Sequence, residues 1–276
     1  MDLATILGLL IGISAAIITT IIEGMHMGGG HGGSLIEPVF RLVNLPAAII
    51  VFGGTIGATM ASFRLKDFIK VGQYFSVAFK ENKMDITQLI GEMVRYAEMA
   101  RKEGLLTLEE MISNVKNEFL RKGIQLIVDG TDPTLVREIL EIETSYMEER
   151  HKTAAMLFQQ AGGFAPTMGI IGTVMGLVNV LANMADTASL GPAISTAFIA
   201  TLYGIFSANI LWLPIANKLK AGSKEESAAR QIIIEGILSI QAGEHPRVIG
   251  EKLTSFLPPA KRPSQSKAAE GFGARG

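Results

Sequence analysis

Long uncharged stretches alternate with charged ones along this chain, and their lengths predict membrane helices. Four stretches of 20 or more residues contain no charged side chain: 3–22, 42–63, 153–185 and 187–217. An α-helix rises about 1.5 Å per residue, so about 20 apolar residues cross the roughly 30 Å hydrocarbon core of a bilayer. The pattern predicts an all-α integral membrane protein with four transmembrane helices, of which the third and fourth are longer than a bilayer requires.

The charged residues concentrate in two regions, which the pattern predicts to be helical but outside the membrane. Residues 64–152 carry 14 Lys/Arg and 16 Asp/Glu, and their apolar residues recur at helical spacing. Helices are predicted at 68–79 (amphipathic, directly after the second span), at Ile86–Glu103, from Thr107, and from Asp132–Pro133 onward. The predicted domains are 1–63 (spans one and two), 64–152 (a helical domain into which the long spans extend), 153–217 (spans three and four), 218–257 (helical) and 258–276 (a disordered Pro-, Ser- and Gly-rich tail).

Small residues recur at helical spacing inside two of the predicted spans. Gly169, Gly172 and Gly176 share one face of the third span, and Gly53 and Gly57 share one face of the second. Small side chains let two helix backbones approach closely, so both faces predict close helix packing. We expect them to form contacts between copies of the chain, and Gly172→Leu or Gly57→Leu to block assembly.

Prolines interrupt the third and fourth spans. Pro166 and Pro214 each remove a backbone donor and crowd the preceding turn, which predicts a bend at each position. Gly191–Pro192 predicts the turn that opens the fourth span.

Composition supports a membrane protein and excludes several other classes. Hydrophobic residues make up 48% of the chain, charged residues 18%, and the mean hydropathy is +0.34. These values favour a multispan membrane protein over a soluble globule. A net charge of −1 argues against nucleic-acid binding, and the absence of cysteine excludes disulfides and thiolate chemistry.

The distribution of basic residues predicts the orientation in the membrane. Of 25 Lys/Arg, 14 lie in residues 64–152 and 10 lie from Lys218 onward. The positive-inside rule therefore predicts that both regions are cytoplasmic, which four spans allow only when both termini are cytoplasmic too.

The spans lack the groups that most chemistry requires. None contains an ionisable residue near its middle, whereas pumps and proton relays normally place a carboxylate or histidine there. A phosphate-binding loop, a nucleophile with its base, and a haem or zinc ligand set are all absent, and His26 and His31 are an incomplete metal site. No enzymatic activity, cofactor or bound metal is predicted. Either the chain has no ion chemistry, or a partner supplies the charge and this chain lines the path.

Several motifs, in order and across nearly the whole chain, resemble the MotA/PomA family of flagellar stator A subunits. They are MDLATILGLLIG (1–12), ARKEGLLTLEE (100–110), GIQLIVDGTDPTLVREILEIE (123–143), FAPTMGIIGTVMGLV (164–178) and FIATLYGIFSANILWLPIANKLK (198–220). The resemblance implies a bacterial inner-membrane protein that forms a homopentamer around a dimer of a MotB/PomB-type B subunit, whose transmembrane aspartate carries the ion. The missing carboxylate is what that arrangement requires. The alternatives to a flagellar stator subunit are an ExbB/TolQ-like energiser of outer-membrane processes and a passive helical membrane scaffold.

The resemblance also implies roles for matching residues. Arg101 and Glu109 occupy positions that engage the rotor protein FliG in this family; from their residue types alone they are solvated surface charges. Pro166 and Pro214 match the two prolines held to couple ion passage to movement; taken alone, they are static kinks.

Thr173 and Thr201 match the hydroxyl positions that face the B-subunit aspartate in this family. From its residue type alone, a membrane threonine bonds back to its own helix at i−4. Sodium-driven relatives tend to have threonine at the position of Thr173, and proton-driven relatives alanine. A hydroxyl oxygen can replace part of the hydration shell of a hard cation. Sodium is therefore the favoured translocated cation, while a proton, potassium or a divalent cation stays open.

Overall fold

The computed structural model describes residues 3–27, 37–80, 85–113, 115–182 and 187–259. Of these described residues 88% are helical, and none of them forms a strand. His31, the side chain of His26 and residues 260–276 of the predicted tail lie outside the described residues.

The helices follow one another with short connections. In chain order they are α1 (Leu3–Met27), α2 (Glu37–Arg41), α3 (Leu45–Ala48), a π-helical turn (Ile49–Gly53), α4 (Gly54–Ser62), α5 (Leu65–Phe68), α6 (Val71–Ala78), α7 (Ile86–Glu103), α8 (Thr107–Ile112), α9 (Glu118–Val128), α10 (Pro133–Ala182), α11 (Thr187–Ser207), a second π-helical turn (Ala208–Trp212), α12 (Leu213–Gln241) and α13 (Pro246–Thr254).

Four helical segments are long and apolar enough to cross a membrane, judged by length and composition. They are Thr5–Met25, Leu45–Ser62, Pro133–Ala182 and Leu190–Gln241. The third is a single helix of 50 residues, and the fourth runs for 52 residues through the second π-helical turn. The predictions of four spans and of unusually long third and fourth helices are confirmed.

Helix ends lie where local side chains satisfy the terminal backbone groups. The Asn44 side chain accepts a hydrogen bond from the Ala47 amide at 3.0 Å, and Asp132 accepts one from the Thr134 amide at 2.8 Å, which opens α10. Helix α7 ends at Gly104, whose φ of 91° is disfavoured for other residues. The predicted limits of α7 and the predicted start of α10 are confirmed.

Three predicted elements differ from the structure. The helix predicted at 68–79 is shorter in the structure, where α6 spans Val71–Ala78 and Phe68 is the last residue of the separate helix α5. The helical stretch after Lys218 is interrupted between α12 and α13, where Gly243 has a φ of 70°. Pro192 lies inside α11 and not in a turn before it; it removes one backbone hydrogen bond without ending the helix.

The two π-helical turns were not predicted. The second turn, Ala208–Trp212, ends two residues before Pro214. In an ordinary α-helix the proline ring would crowd the carbonyl of Ile210, four residues earlier, and leave that carbonyl without a donor. A locally widened turn relieves that conflict while the helix continues.

The chain divides into two compact units. Unit 1 comprises Met1–Glu81 and His151–Ala221, and unit 2 comprises Asn82–Arg150 and Gly222–Gly276. Residues 64–81 belong to unit 1, because Val71, Tyr74 and Ala78 on one face of α6 join the buried cluster around Phe158. Burial in this cluster, and secondarily the charge of Asp67, raises the pKa of Tyr74 above its ordinary value of 10.0. The domain limits at 63, 152 and 217 stay a prediction.

Unit 2 has an apolar core built by α7, α9, the first part of α10, α12 and α13. Met93, Leu120, Leu140, Ile237 and Leu253 are fully buried in it. Ion pairs surround this core: Arg137 lies 2.9 Å from Glu235, Lys252 lies 3.3 Å from the same carboxylate, and Lys122 lies 2.6 Å from Glu143. These ion pairs therefore stabilise the packing of the helices of unit 2 locally.

Candidate functional site

A face of small residues on α10 brings its backbone against α11. A Cβ atom added to Gly169 would lie 2.9 Å from the Ala200 carbonyl oxygen and 3.1 Å from the Thr201 Cα. One added to Gly172 or Gly176 would lie 2.7 or 2.8 Å from an alanine Cβ of α11. Such distances are shorter than real Cβ contacts, so only glycine permits this approach. The three glycines therefore pack within the chain.

The close approach places two hydroxyls side by side between the helices. The Oγ1 atoms of Thr173 and Thr201 are in hydrogen-bond contact, although the residues lie 28 positions apart. Thr173 Oγ1 also lies 3.1 Å from the Gly169 carbonyl oxygen, on its own helix, and 2.9 Å from the Ala197 carbonyl oxygen on α11. Both threonines are half-buried.

The cluster provides oxygen atoms and no charge of its own. Two hydroxyls and two carbonyls converge on Thr173, and each threonine has a single proton to donate. Oxygen ligands of this kind suit hard cations. In the described parts of the four uncharged stretches, the half-buried Tyr203 has the only ionisable side chain. The described parts of these stretches therefore place no carboxylate at the cluster.

The two prolines lie in different surroundings. Pro166 is half-buried inside α10 and lies close to α11. A Cβ added to Gly204 of α11 would lie 3.2 Å from the Cα of Pro166. Pro214 is exposed and follows the second π-helical turn. It lines a cavity of about 540 Å³ between α1 and the start of α12, together with Gly8, Leu9 and Asn217.

The second predicted glycine face is open in this chain. A Cβ added to Gly53 or Gly57 would meet no atom within 4 Å. Gly54 contacts α10 in their place, where an added Cβ would lie 2.6 Å from the Met168 sulfur. Within one chain, therefore, Gly53 and Gly57 pack against nothing.

A polar junction that sequence reasoning missed joins the start of the second span to α11. The backbone amide of Asn44 donates to Tyr203 Oη at 3.1 Å, and the side-chain Nδ2 of Asn44 donates to Thr196 Oγ1 at 2.8 Å. Tyr203 Oη donates in turn to the Leu42 carbonyl. Because Tyr203 lies two residues beyond Thr201, this junction restrains the helix that holds the hydroxyl cluster. A tyrosine in an apolar span was the one available signal, since its hydroxyl needs a partner when buried.

Comparisons with known proteins agree on one family. The model of the MotA/TolQ/ExbB proton channel family matches residues 111–232. Motility protein A of Bacillus subtilis is 40% identical over 263 residues, covering 95% of this chain and 93% of its own length. The chemotaxis protein PomA of Vibrio alginolyticus is 38% identical over 262 residues, covering 95% and 98%.

Solved structures give the same result. C. jejuni MotAB matches with a TM-score of 0.86 and 32% identity, over 96% of this chain and 100% of that one. The flagellar MotAB stator complex from Bacillus subtilis matches with a TM-score of 0.77 and 41% identity, over 96% and 98%. This chain belongs to the MotA/PomA family.

Membership of the MotA/PomA family accounts for the missing catalytic groups. Proteins of this family are components of ion-conducting motors and not enzymes, and this chain is a multi-pass membrane protein of that kind. Among the described residues, groups of three or more His, Cys, Asp or Glu that could hold a metal do not occur.

The two charged residues for which the sequence predicted a rotor contact lie on the surface of unit 2. Arg101 is exposed in the last turn of α7, and Glu109 is exposed in the first turn of α8. No ion pair joins either side chain to another described residue, in contrast to Arg137 and Lys122 of the same unit. Both charges are therefore available to a partner.

Proposed function

We propose that this chain is the A subunit of a flagellar stator complex in the bacterial inner membrane. With a MotB/PomB-type B subunit it converts ion flow into torque on the rotor protein FliG. The observation that supports this most directly is the oxygen cluster of Thr173 and Thr201, which lies in spans without a carboxylate. Such a cluster is complete only when a partner chain contributes the charge.

In the proposed mechanism five copies of the chain surround two B-subunit helices, and both termini are cytoplasmic. An aspartate of the B subunit binds and releases the ion next to Thr173 and Thr201. Pro166 and Pro214 permit the long third and fourth helices to change shape at each step, because neither position can make the usual backbone hydrogen bond. Stepwise rotation of the ring then moves the surface that contains Arg101 and Glu109 past the rotor.

Sodium is the proposed ion. A sodium ion that loses water must gain oxygen ligands, and four oxygens meet at Thr173. A proton needs only the carboxylate, and the description of the matching family model refers to protons. Proton coupling is therefore the alternative that an ion-replacement experiment has to exclude.

Co-expression with the neighbouring gene product tests the proposed complex. The expected partner has one span, an aspartate within that span and a peptidoglycan-binding domain, and particle imaging of the purified complex should show five A chains and two B chains. The complex in proteoliposomes should conduct cations only when the aspartate is present. If the chain purifies without any single-span partner, the stator assignment is contradicted and a passive scaffold is favoured. If the partner instead acts on an outer-membrane protein, an ExbB/TolQ-like energiser is favoured.

Charge reversal at Arg101 tests the rotor surface. Arg101→Glu is expected to impair swimming under viscous load while membrane insertion and complex formation stay normal, because the side chain is exposed and unpaired. Single exposed charge pairs contribute about 0–1 kcal/mol, so Arg101→Ala should have a small effect at low load. A compensating charge change in FliG should partly restore swimming.

The matched control is Lys116→Glu, which reverses an equally exposed charge of unit 2 outside α7 and α8. It should swim normally. Normal swimming of Arg101→Glu at high load would place the torque surface elsewhere, and equal defects in both variants would show a general effect of added negative charge.

A further inference from the structure

One segment of unit 1 combines unpaired basic side chains with exposed apolar ones. It lies in residues 64–80, which begin directly after the second candidate span ends at Ser62. We call it the basic apolar surface. Its members are Arg64, Lys66, Lys70 and Lys80, with Leu65, Ile69, Phe75 and Val77.

The apolar residues of this surface are left over after α6 has packed. One face of α6, with Val71, Tyr74 and Ala78, joins the buried cluster of Phe158 and Ile215. Other apolar side chains of the segment remain in contact with the surroundings: Leu65 in α5 is 63% exposed, Ile69 between α5 and α6 72%, and Val77 beside the packed face of α6 55%. Several exposed apolar side chains within one short segment are unfavourable in water, because nothing in the described chain covers them.

The charge of this surface is one-sided. Within residues 64–80 there are four Lys/Arg and a single carboxylate, Asp67. None of the four cations has an ion pair or a side-chain hydrogen bond to another described residue. In unit 2, Arg137, Lys122 and Lys252 are paired, whereas Arg101 and Lys116 have no ion pair to another described residue. The four cations of the basic apolar surface are therefore not used to stabilise the fold of the described chain.

We propose that the basic apolar surface binds anionic phospholipids of the adjacent leaflet. Its position at the end of a span places it at the depth of the headgroups, where exposed apolar side chains can insert beside the acyl chains. Basic residues next to a membrane are attracted to anionic headgroups, and the attraction decays within a Debye length. A neutral lipid would satisfy the apolar residues but would leave the four cations without counter-charges.

Lipid titration of the purified full-length chain tests this assignment. The probes are fluorescent phosphatidylglycerol and fluorescent phosphatidylcholine, added to the chain in neutral detergent. Phosphatidylglycerol should bind more tightly, and added salt should remove the difference. Each cation contributes roughly a fivefold change in affinity, so the variant R64Q/K66Q/K70Q should bind phosphatidylglycerol about a hundredfold more weakly and phosphatidylcholine as before.

Two variants separate charge from shape. K66R/K70R keeps the charges and should retain the preference for phosphatidylglycerol, whereas Ile69→Ser should weaken binding of both lipids alike. Lys116→Gln removes an exposed cation of unit 2 and should change neither affinity. Thermal unfolding and gel filtration of each variant report on folding and oligomer size independently of the lipid.

Equal binding of the two lipids by the wild-type chain would overturn the proposal. So would an unchanged preference for phosphatidylglycerol in R64Q/K66Q/K70Q. If that variant instead alters the oligomer size while lipid binding stays the same, the surface is a contact between copies of the chain. None of these outcomes depends on motility, so the stator assignment is tested separately.

Discussion

Valine in place of Thr173 is expected to stop a sodium-driven motor. The substitution keeps the shape of the side chain and removes only the hydroxyl, which contacts Thr201 Oγ1 and lies 2.9 Å from the Ala197 carbonyl oxygen. A polar group that loses its hydrogen-bond partner costs about 1–3 kcal/mol when buried, and a loss of that size in ion binding corresponds to a roughly fivefold to 150-fold lower affinity. Thr173→Ala should fail similarly, and Thr173→Ser should retain function because it keeps the oxygen.

A nearby threonine provides the matched control. Thr167 lies on the same helix, is exposed, and donates only to the Phe164 carbonyl of its own turn, at 2.7 Å. Thr167→Val should therefore leave motor speed unchanged. Gel filtration of both variants with the B subunit shows whether the complex still forms, so that a loss of ion coupling is distinguished from a loss of assembly.

The ion is identified by single-motor speed against sodium concentration at fixed membrane potential. In the wild type, speed should rise with sodium and should persist when a protonophore is added with the potential clamped. A proton-driven motor should tolerate Thr173→Val far better, because a protonated carboxylate needs no cation shell. Speed that stays flat from sodium-depleted to sodium-rich medium, yet collapses with a protonophore, would refute the sodium assignment.

Alanine in place of Gly169 is expected to destabilise the packing of α10 on α11. The added Cβ would lie 2.9 Å from the Ala200 carbonyl oxygen and 3.1 Å from the Thr201 Cα, and backbone atoms cannot move aside as a flexible side chain can. Overpacking of this kind typically costs about 1–3 kcal/mol. Because the helices must separate, the contact between Thr173 and Thr201 should weaken as well. A lower unfolding temperature in detergent and a loss of motor function should therefore occur together.

Gly57 provides the contrasting substitution. Gly57→Ala meets open space in this chain and lies inside a helix, where alanine is favoured over glycine by about 1 kcal/mol, so the single chain should not be destabilised. The larger Gly57→Leu tests whether this face packs against a second copy: it should then reduce the oligomer on gel filtration with normal expression. An unfolding temperature of Gly169→Ala equal to that of the wild type would contradict the packing described here.

The sequence by itself determined the class of the protein and most of its helix limits, because these depend on local properties. The length of an uncharged stretch decides whether it can span a bilayer, and this is independent of the rest of the chain. In the same way, the conformational freedom of Gly104 and the capping carboxylate of Asp132 act within one turn. The motifs of a known family further identified Thr173 and Thr201 as members of one site.

The tertiary structure decided which residues meet. Thr173 and Thr201 contact one another because Gly169 and its neighbours let α10 and α11 approach, and the Ala197 carbonyl joins them from a residue with no polar side chain. Backbone oxygens carry no signal in a sequence. For the same reason the junction of Asn44 with Tyr203, residues 159 positions apart, could not be predicted.

Helical phase is the other property that only the structure decided. Residue spacing placed Gly53 and Gly57 on a packing face by assuming a regular α-helix, but a π-helical turn occupies Ile49–Gly53. Such a turn accommodates one extra residue and so rotates the helix after it by roughly a third of a turn relative to the helix before it. In this chain Gly54 faces α10, and a Cβ added to Gly53 or Gly57 would meet no atom within 4 Å. Which face of a helix meets its neighbour depends on contacts with other helices, and spacing along the chain does not record those contacts.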